Sequence, residues 1–182
     1  MQHQAPDGQE PIRRRGGGFR AAAPVRRAPA KRGLGVRRLP RDPDRLSDEA
    51  SLGPNAAAVT GAIDAYNAGD IDGLLTMAHP DIEWEVAPEH PAAATHRGFE
   101  AVREYHQDWR NTVRDLTIDL RSVAESDDDV VTVCRLHGKG GESGADVEVE
   151  IAFLTTFRDG KAVRVEEFLD PAEALRAMES DS

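Results

Sequence analysis

The feature that most constrains the fold is a run of four predicted strands in the second half of the chain. Apolar and polar residues alternate over about residues 116–124, 130–138, 147–158 and 162–169, which is the period of half-buried strands. The last two meet at Arg158-Asp-Gly160, a sequence typical of a hairpin turn. The second half of the chain is therefore predicted to form four consecutive strands. In the segment before them, apolar residues recur mostly at helical spacing.

Two helices are predicted at the start of this region. The first is predicted because apolar residues recur every three or four positions. It begins at Pro54 and Asn55, and Gly69 ends it. Asp70 is a suitable N-cap for a second, short helix that Pro80 would end. The apolar stripe of the first helix is Val59, Ile63 and Tyr66, and that of the second is Leu74, Leu75 and Met77.

A strand and a third helix follow. Ile82, Trp84 and Val86 alternate with Glu83 and Glu85, so Trp84 is predicted to face inward and both glutamates to face water. The Pro- and Ala-rich segment of residues 87–98 is predicted to be a loop. Helical spacing returns after it, with one apolar face formed by Phe99, Val102, His106, Trp109 and Val113.

The pairing of the last two strands decides which of their residues face inward. A two-residue Asp159-Gly160 loop would pair Glu167 with Ala152, whereas a three-residue loop with a left-handed Gly160 would pair Glu167 with Ile151. We favour the second register, because only it places the strongly apolar sets of both strands on one face. It predicts that Glu167 points inward.

Charge divides the chain into two parts. Residues 1–50 hold 12 basic and 6 acidic residues, and the remainder holds 11 basic and 27 acidic ones. The first part is rich in Arg, Pro, Gly and Ala and has too few apolar residues to offset the entropy of ordering, so we predict a disordered basic tail. Residues 51–182 suffice for one domain with its own core.

Three interpretations of the tail remain open: an arm for nucleic acid or an acidic surface, a transit peptide, and an extension without a role in the fold. Phe19 is its one aromatic residue, and Ser47 is the first serine, which disfavours the first two. Nucleic acid is therefore an unlikely partner, reachable only through this tail. The chain has no run of 18 apolar residues and no signal-like N-terminus, so we expect a soluble, cytoplasmic protein without a membrane partner.

Metal and nucleotide sites have no support in the sequence. Cys134 is the single cysteine, which excludes an internal disulfide, and it is predicted to fill the core. The histidines form no metal-binding pair on one helical turn, and Gly138-Lys-Gly-Gly141 joins two strands instead of opening a helix. We therefore expect no metal and no cofactor.

Five short motifs occur in order across the last two thirds of the chain. They are Asn67-Ala-Gly-Asp70, Asp81-Ile-Glu-Trp-Glu85, Arg97-Gly-Phe-Glu-Ala-Val-Arg-Glu-Tyr105, Phe157-Arg-Asp-Gly-Lys161 and Glu166-Glu-Phe-Leu-Asp170. In order and spacing they resemble the SnoaL-like, polyketide cyclase-like branch of the nuclear transport factor 2 and ketosteroid isomerase superfamily. The resemblance implies an α+β roll of the cystatin-like kind, in which N-terminal helices wrap a curved, mostly antiparallel sheet into a cone with an internal pocket. It also implies a homodimer.

The resemblance argues against one known mechanism. Ketosteroid isomerases use an aspartate base with an oxyanion hole made by a tyrosine and a protonated aspartate. Matching the motifs places Val86, Ala62 and Phe153 at those three positions, so all three functional groups are absent. Steroid isomerisation by that mechanism is not expected.

The epoxide hydrolases of the superfamily offer a second comparison. One of their catalytic aspartates matches Glu167, and Arg135-Leu-His137 lies near the position of their Arg-x-Asp pair. We therefore predict Glu167, Arg135 and His137 as the catalytic set, because a carboxyl buried beside an apolar wall has a raised pKa and can exchange protons near neutral pH. Two points stay open: Glu167 could instead be a structural partner of Arg135, and either face of the strand at residues 130–138 could line the pocket.

A flat apolar ligand is the expected partner, because large aromatic side chains suit the wall of such a pocket. The predicted ligand-binding residues are Trp84, Val86, Tyr105, Trp109 and Phe153. His106 is predicted to be a core residue of the helix stripe. The leading hypothesis is a small-molecule protein with general acid/base chemistry of the isomerase, cyclase or hydrolase type, and the alternative is a non-catalytic binding or dimerisation module.

Overall fold

The chain forms one seven-stranded curved sheet with four helices in the part that the structure describes. This computed structural model describes residues 52–180 and the backbone of residues 35–38. The helices are α1 (Pro54–Asn67), α2 (Ile71–Leu75), α3 (Gly98–Thr112) and α4 (Pro171–Ser180). The strands are β1 (Gly35–Arg38), β2 (Ala78–Glu85), β3 (Thr95–Arg97), β4 (Val113–Ser126), β5 (Asp129–Gly140), β6 (Asp146–Arg158) and β7 (Lys161–Phe168).

The strand order is β1-β4-β5-β6-β7-β2-β3. Every neighbouring pair is antiparallel except β2 and β7, which run parallel. The predicted α+β fold with a curved, mostly antiparallel sheet is confirmed. Most of the segment predicted to be a disordered tail lies outside the described residues. Its residues Gly35–Arg38 are an exception, because their backbone pairs with Ser122–Glu125 and completes the edge of the sheet.

The first two helices begin as predicted. Pro54 occupies the first turn of α1, and Gly69 follows its end with a φ of 85°. The Asp70 carboxylate accepts a hydrogen bond of 2.7 Å from the Gly73 N–H and caps α2. The prediction that Pro80 ends α2 is wrong, because α2 ends at Leu75 and Pro80 lies in β2. The missing N–H of proline is tolerated there because the pairing of β2 with β7 is irregular between Ala78 and Glu83.

The hairpin of β6 and β7 differs from both predicted registers. Asp159 and Gly160 have φ values of 53° and 73°, so the turn is a two-residue loop, and Phe157 pairs with Ala162. One extra residue on β7 then forms a β-bulge, after which Phe153 pairs with Glu167. The favoured pairing of Glu167 with Ile151 is wrong. The prediction that Glu167 points inward is nevertheless confirmed, because the bulge reverses the faces of all later residues of β7.

Two cores lie on opposite faces of the sheet. We call the face packed against α1, α2 and α3 the inner face; on β5 it presents Val130, Thr132, Cys134 and Leu136. The outer face presents Val131 and Val133, which pack with Ala152 and Leu154 against Ala174 and Met178 of α4. Helix α4 therefore covers the apolar part of the outer face, and the strand β5 is apolar on both faces.

Candidate functional site

A carboxyl group is buried on the inner face of the sheet. Glu167 of β7 is only 6% exposed. Its Oε1 atom accepts a hydrogen bond of 2.7 Å from the indole Nε1–H of Trp84 and one of 2.8 Å from the hydroxyl of Tyr105. The three residues come from β7, β2 and α3, so the site forms only when these elements pack together.

Burial raises the pKa of Glu167 above its ordinary value. The hydrogen bonds from Trp84 and Tyr105, the backbone N–H of Ala87 and the nearby His90 act in the opposite direction, but the loss of hydration is the larger effect. The protonated form of the carboxyl is therefore more populated than in water. Such a group can give or take a proton closer to neutral pH than an exposed glutamate can.

The predicted aromatic wall assembles around Glu167. The Trp84 ring lies 5.9 Å from Phe153 and 6.3 Å from Tyr105 between centroids. Burial and the neighbouring Glu167 both raise the pKa of Tyr105, so its phenol keeps its proton and remains a donor. Val86 is buried in the same core, whereas Trp109 is only partly buried at its border. The structure thus brings Trp84, Tyr105 and Phe153 together at the carboxyl.

His106 lies behind this wall as a buried, neutral imidazole. Its ring is 4.5 Å from that of Trp84 and 5.4 Å from that of Tyr66, edge to face in both cases. Burial, with a smaller effect of His96, lowers its pKa to about 3. Its Nε2 atom has no hydrogen-bond partner among the described residues. His106 is a core residue, as predicted, but it carries an unsatisfied polar atom next to Trp84.

Replacement of His106 by Gln is expected to flatten the acid side of the stability profile. The folded state holds this imidazole neutral while the unfolded chain protonates it near pH 6.5, so its contribution to stability falls as the pH decreases from about 6.5 toward 3. Urea unfolding of the wild type and the variant between pH 4 and pH 8 measures this slope. His79→Gln, at a half-exposed histidine, is the control, and identical slopes for wild type and His106→Gln would contradict the prediction.

Arg135 and His137 do not belong to this site. Cross-strand pairing places Glu167 opposite Phe153 and Phe153 opposite Thr132, so Thr132 lies on the inner face of β5. Successive residues of a strand alternate between faces, which puts Arg135 and His137 on the outer face. On the outer face, Arg135 bonds to Glu148 at 2.5 Å, and His137 Nε2 lies 3.3 Å from Asp119. Their prediction as catalytic partners of Glu167 is wrong, and so is the alternative of a Glu167–Arg135 pair.

The loop after β2 supplies residues that the sequence analysis missed. His96 stacks on Tyr105 with ring centroids 4.6 Å apart, and His90 lies 5.5 Å from the Trp109 ring. The backbone N–H of Ala87 and the nearby His90 both lower the pKa of the Glu167 carboxyl, against the larger effect of burial. The available signal was the presence of two histidines in a Pro- and Ala-rich segment directly after the strand of Trp84. Residues Thr95–Arg97 of the predicted loop form the edge strand β3.

Other chemistry has little support in the described part of the chain. No group of three or more His, Cys, Asp or Glu side chains within residues 52–180 is arranged to hold a metal ion. The Cys134 thiol is fully buried, and burial raises its pKa to about 12, which makes it a poor nucleophile. None of the helices among these residues combines the length and apolar character needed to cross a bilayer.

A family model for the SnoaL-like domain matches residues 59–165, more than half of the chain. The chain belongs to the SnoaL-like family. The matched region runs from within α1 through β6 into β7, so it contains Trp84, Tyr105 and Phe153 but ends two residues before Glu167. A comparison with curated protein sequences gave no match.

Solved structures support the same fold for this SnoaL-like chain. A nuclear transport factor 2-like protein from Burkholderia thailandensis is 26% identical, with a TM-score of 0.59 over 70% of this chain and 98% of that one. A putative SnoaL-like polyketide cyclase from Jannaschia is 21% identical, with a TM-score of 0.57 over 70% and 92%. TerC, co-crystallised with polyporic acid, is 24% identical, with a TM-score of 0.59 over 70% and 99%.

Proposed function

We propose that this SnoaL-like chain binds a small apolar or polycyclic molecule on the inner face of the sheet and that Glu167 acts on it as a general acid or base. The observation that carries the proposal is the buried carboxyl held by Trp84 and Tyr105. A buried acid is costly unless its polar atoms are satisfied, and two donors from different elements fix its orientation. Such an arrangement is suited to proton exchange with a bound compound.

The surroundings of Glu167 favour an apolar ligand. From the Phe153–Thr132 pair, the inner face continues along β6 and β5 with apolar side chains only, and several of those on β4 and β6 are partly exposed. This apolar continuation is formed by Ile118, Leu120, Cys134, Leu136, Val147, Val149 and Ile151. A ligand with a polar group at Glu167 would place its apolar body along these residues.

The described site supports chemistry that begins with proton transfer. One proton-exchanging carboxyl next to a neutral phenol suits isomerisation, ring closure or hydrolysis that begins with proton transfer. TerC, which shares the fold, was co-crystallised with polyporic acid, a precedent for a small organic ligand in this architecture. The proposed acid or base of this chain is inferred from the surroundings of Glu167 and not from TerC.

A thermal-shift screen of the full-length chain against polycyclic ketones, epoxides, steroids and lipids tests the proposal. We expect one chemical class to raise the melting temperature. At a ligand concentration 100 times the Kd, binding adds about 3 kcal/mol to the free energy of unfolding. Phe153→Ala should abolish this stabilisation, while Arg135→Ala on the outer face should retain it. Absence of stabilisation by every class, or equal stabilisation of wild type and Phe153→Ala, would contradict the proposal.

A further inference from the structure

The carboxyl of Glu167 is buried without a permanent cationic partner. Both of its side-chain hydrogen-bond donors, Trp84 and Tyr105, are neutral groups. No Lys or Arg is buried in the part of the chain that the structure describes. The only cationic group there that acts on Glu167 is the half-buried His90, and only when it is protonated. An ionised Glu167 therefore lacks an opposite charge in its surroundings.

One oxygen of this carboxyl remains available to a ligand. Trp84 and Tyr105 both donate to Oε1, which fills the two acceptor sites of that atom. Oε2 accepts from neither side chain. It has two lone pairs, so it can bind a ligand even while the backbone N–H of Ala87 acts on the carboxyl. A bound group therefore meets the acid at Oε2.

Space for such a group remains above Phe153. Cross-strand pairing places Phe153 of β6 between Glu167 of β7 and Thr132 of β5 on the inner face. Thr132 is 1% exposed and Glu167 is 6% exposed, whereas Phe153 is partly exposed. A residue between two buried neighbours is accessible only if the helices leave a gap over it. The ring of Phe153 is therefore an accessible aromatic surface directly beside the acid.

An acid next to an accessible aromatic ring is a suitable site for an ammonium group. The carboxylate attracts the positive charge, and so does the face of the ring when the cation lies within about 6 Å of its centre. Removal of water strengthens both attractions. The net charge of the domain acts in the same direction, because residues 51–182 carry 27 acidic and 11 basic side chains. An anionic ligand would be repelled.

We propose that the compound bound beside Glu167 is an amine or a quaternary ammonium compound with an apolar body, and that its cation lies between Oε2 of Glu167 and the face of Phe153. The ligand supplies the positive charge that the chain does not provide at this carboxyl. The inference rests on the proposed function, because it uses the same inner face and the same acid. It adds the charge of the ligand, which the proposed function leaves open.

The probes are benzyltrimethylammonium and neopentylbenzene, which have nearly the same shape and differ in the positive charge. Each is titrated into the full-length chain, and the indole N–H of Trp84, which bonds to Glu167, is followed by NMR. We expect both probes to shift this signal and the ammonium compound to bind about tenfold more tightly or better. Binding to the acidic surface alone would leave the Trp84 signal unchanged.

Three variants locate the charge that the ammonium probe meets. Glu167→Gln keeps a carbonyl acceptor for Trp84 and Tyr105 but removes the negative charge, so it should weaken ammonium binding about tenfold and leave neopentylbenzene binding unchanged. Phe153→Leu keeps an apolar side chain without a ring and should weaken ammonium binding roughly threefold. The matched control is Glu166→Gln, which removes a negative charge from the outer side of the same strand and should leave both affinities close to those of the wild type.

The outcomes separate this inference from the proposed function. If both probes shift the Trp84 signal with equal affinity, the proposed function stands and the selection for a cation is overturned. Ammonium binding that is as tight in Glu167→Gln as in the wild type would overturn it as well. If neither probe shifts the Trp84 signal, the result counts against a ligand site on the inner face and therefore against both proposals.

Discussion

Trp84→Ala is expected to lower the free energy of unfolding by about 3–5 kcal/mol, the usual range for removal of a large buried aromatic side chain. Trp84 is 5% exposed and packs against Tyr105, His106 and Phe153, so its loss leaves a cavity in the middle of the inner core. It also removes one of the two side-chain donors to Glu167. Urea unfolding monitored by circular dichroism measures the loss.

Two further variants make this test specific. Trp84→Phe keeps most of the ring but removes the indole N–H, so it should be less destabilising than Trp84→Ala and should raise the pKa of Glu167 further. Trp109→Ala, at a partly buried position, should cost clearly less than Trp84→Ala. Equal losses for Trp84→Ala and Trp109→Ala would show that Trp84 is not the centre of the core.

Glu167→Gln is expected to reduce turnover of any substrate found in the screen about 100-fold or more, since a positioned acid or base contributes roughly that much. Gln retains a carbonyl oxygen that can accept from Trp84 and Tyr105. The melting temperature should therefore remain close to that of the wild type or rise. The control is Glu166→Gln, because Glu166 faces the opposite side of β7 and pairs with Arg164. A large loss of stability without a change in turnover would contradict a catalytic role.

The same variant gives a pH test that needs no substrate. The pKa of Glu167 is raised in the folded state, so the folded chain binds more protons than the unfolded chain between the ordinary pKa and the raised one. Across that interval the wild type loses stability as the pH rises. Glu167→Gln lacks this decrease, so the variant should gain relative to the wild type with rising pH. A gap independent of pH would mean that Glu167 titrates as an exposed glutamate does.

Alternation and capping signals made the first three helices and the inward position of Trp84 predictable. Trp84 was placed correctly because Ile82, Trp84 and Val86 alternate with two glutamates, a pattern that only one face of a strand explains. The helix boundaries at Pro54 and Asp70 followed from backbone chemistry that acts within a few residues. Such boundaries can be predicted from the sequence because they depend on neighbouring residues and not on contacts with distant parts of the chain.

The face of β5 could not be chosen from its own sequence, because both faces are apolar. The reason lies in α4, which was not predicted and which buries Val131 and Val133 on the outer face. Pro171 at the start of this helix and the spacing of Ala174 and Met178 were usable signals. Recognition of α4 would have explained the second apolar face of β5. It would also have assigned Arg135, which shares that face with Val131 and Val133, to the outer side of the sheet.

The loop of residues 86–94 was beyond prediction for a different reason. The positions of His90 and His96 depend on backbone hydrogen bonds within the turn and on stacking against α3, which is distant in sequence. Composition alone predicted a loop there and left its direction open. A set of inward-facing residues drawn from the strands could therefore include Glu167 and still miss the imidazoles of His90 and His96.

The β-bulge in β7 makes the interior chemistry depend on strand register as well as on residue identity. Without the bulge, the same residues would continue from the two-residue turn at Asp159 and Gly160 into a regular ladder that presents Glu166 to the core and Glu167 to the outside. The same two glutamates would then place the other acid inside. Exchange of the two acids would take a slip of one position in the pairing of β6 with β7, because deletion of the bulged residue alone leaves Glu167 opposite Phe153.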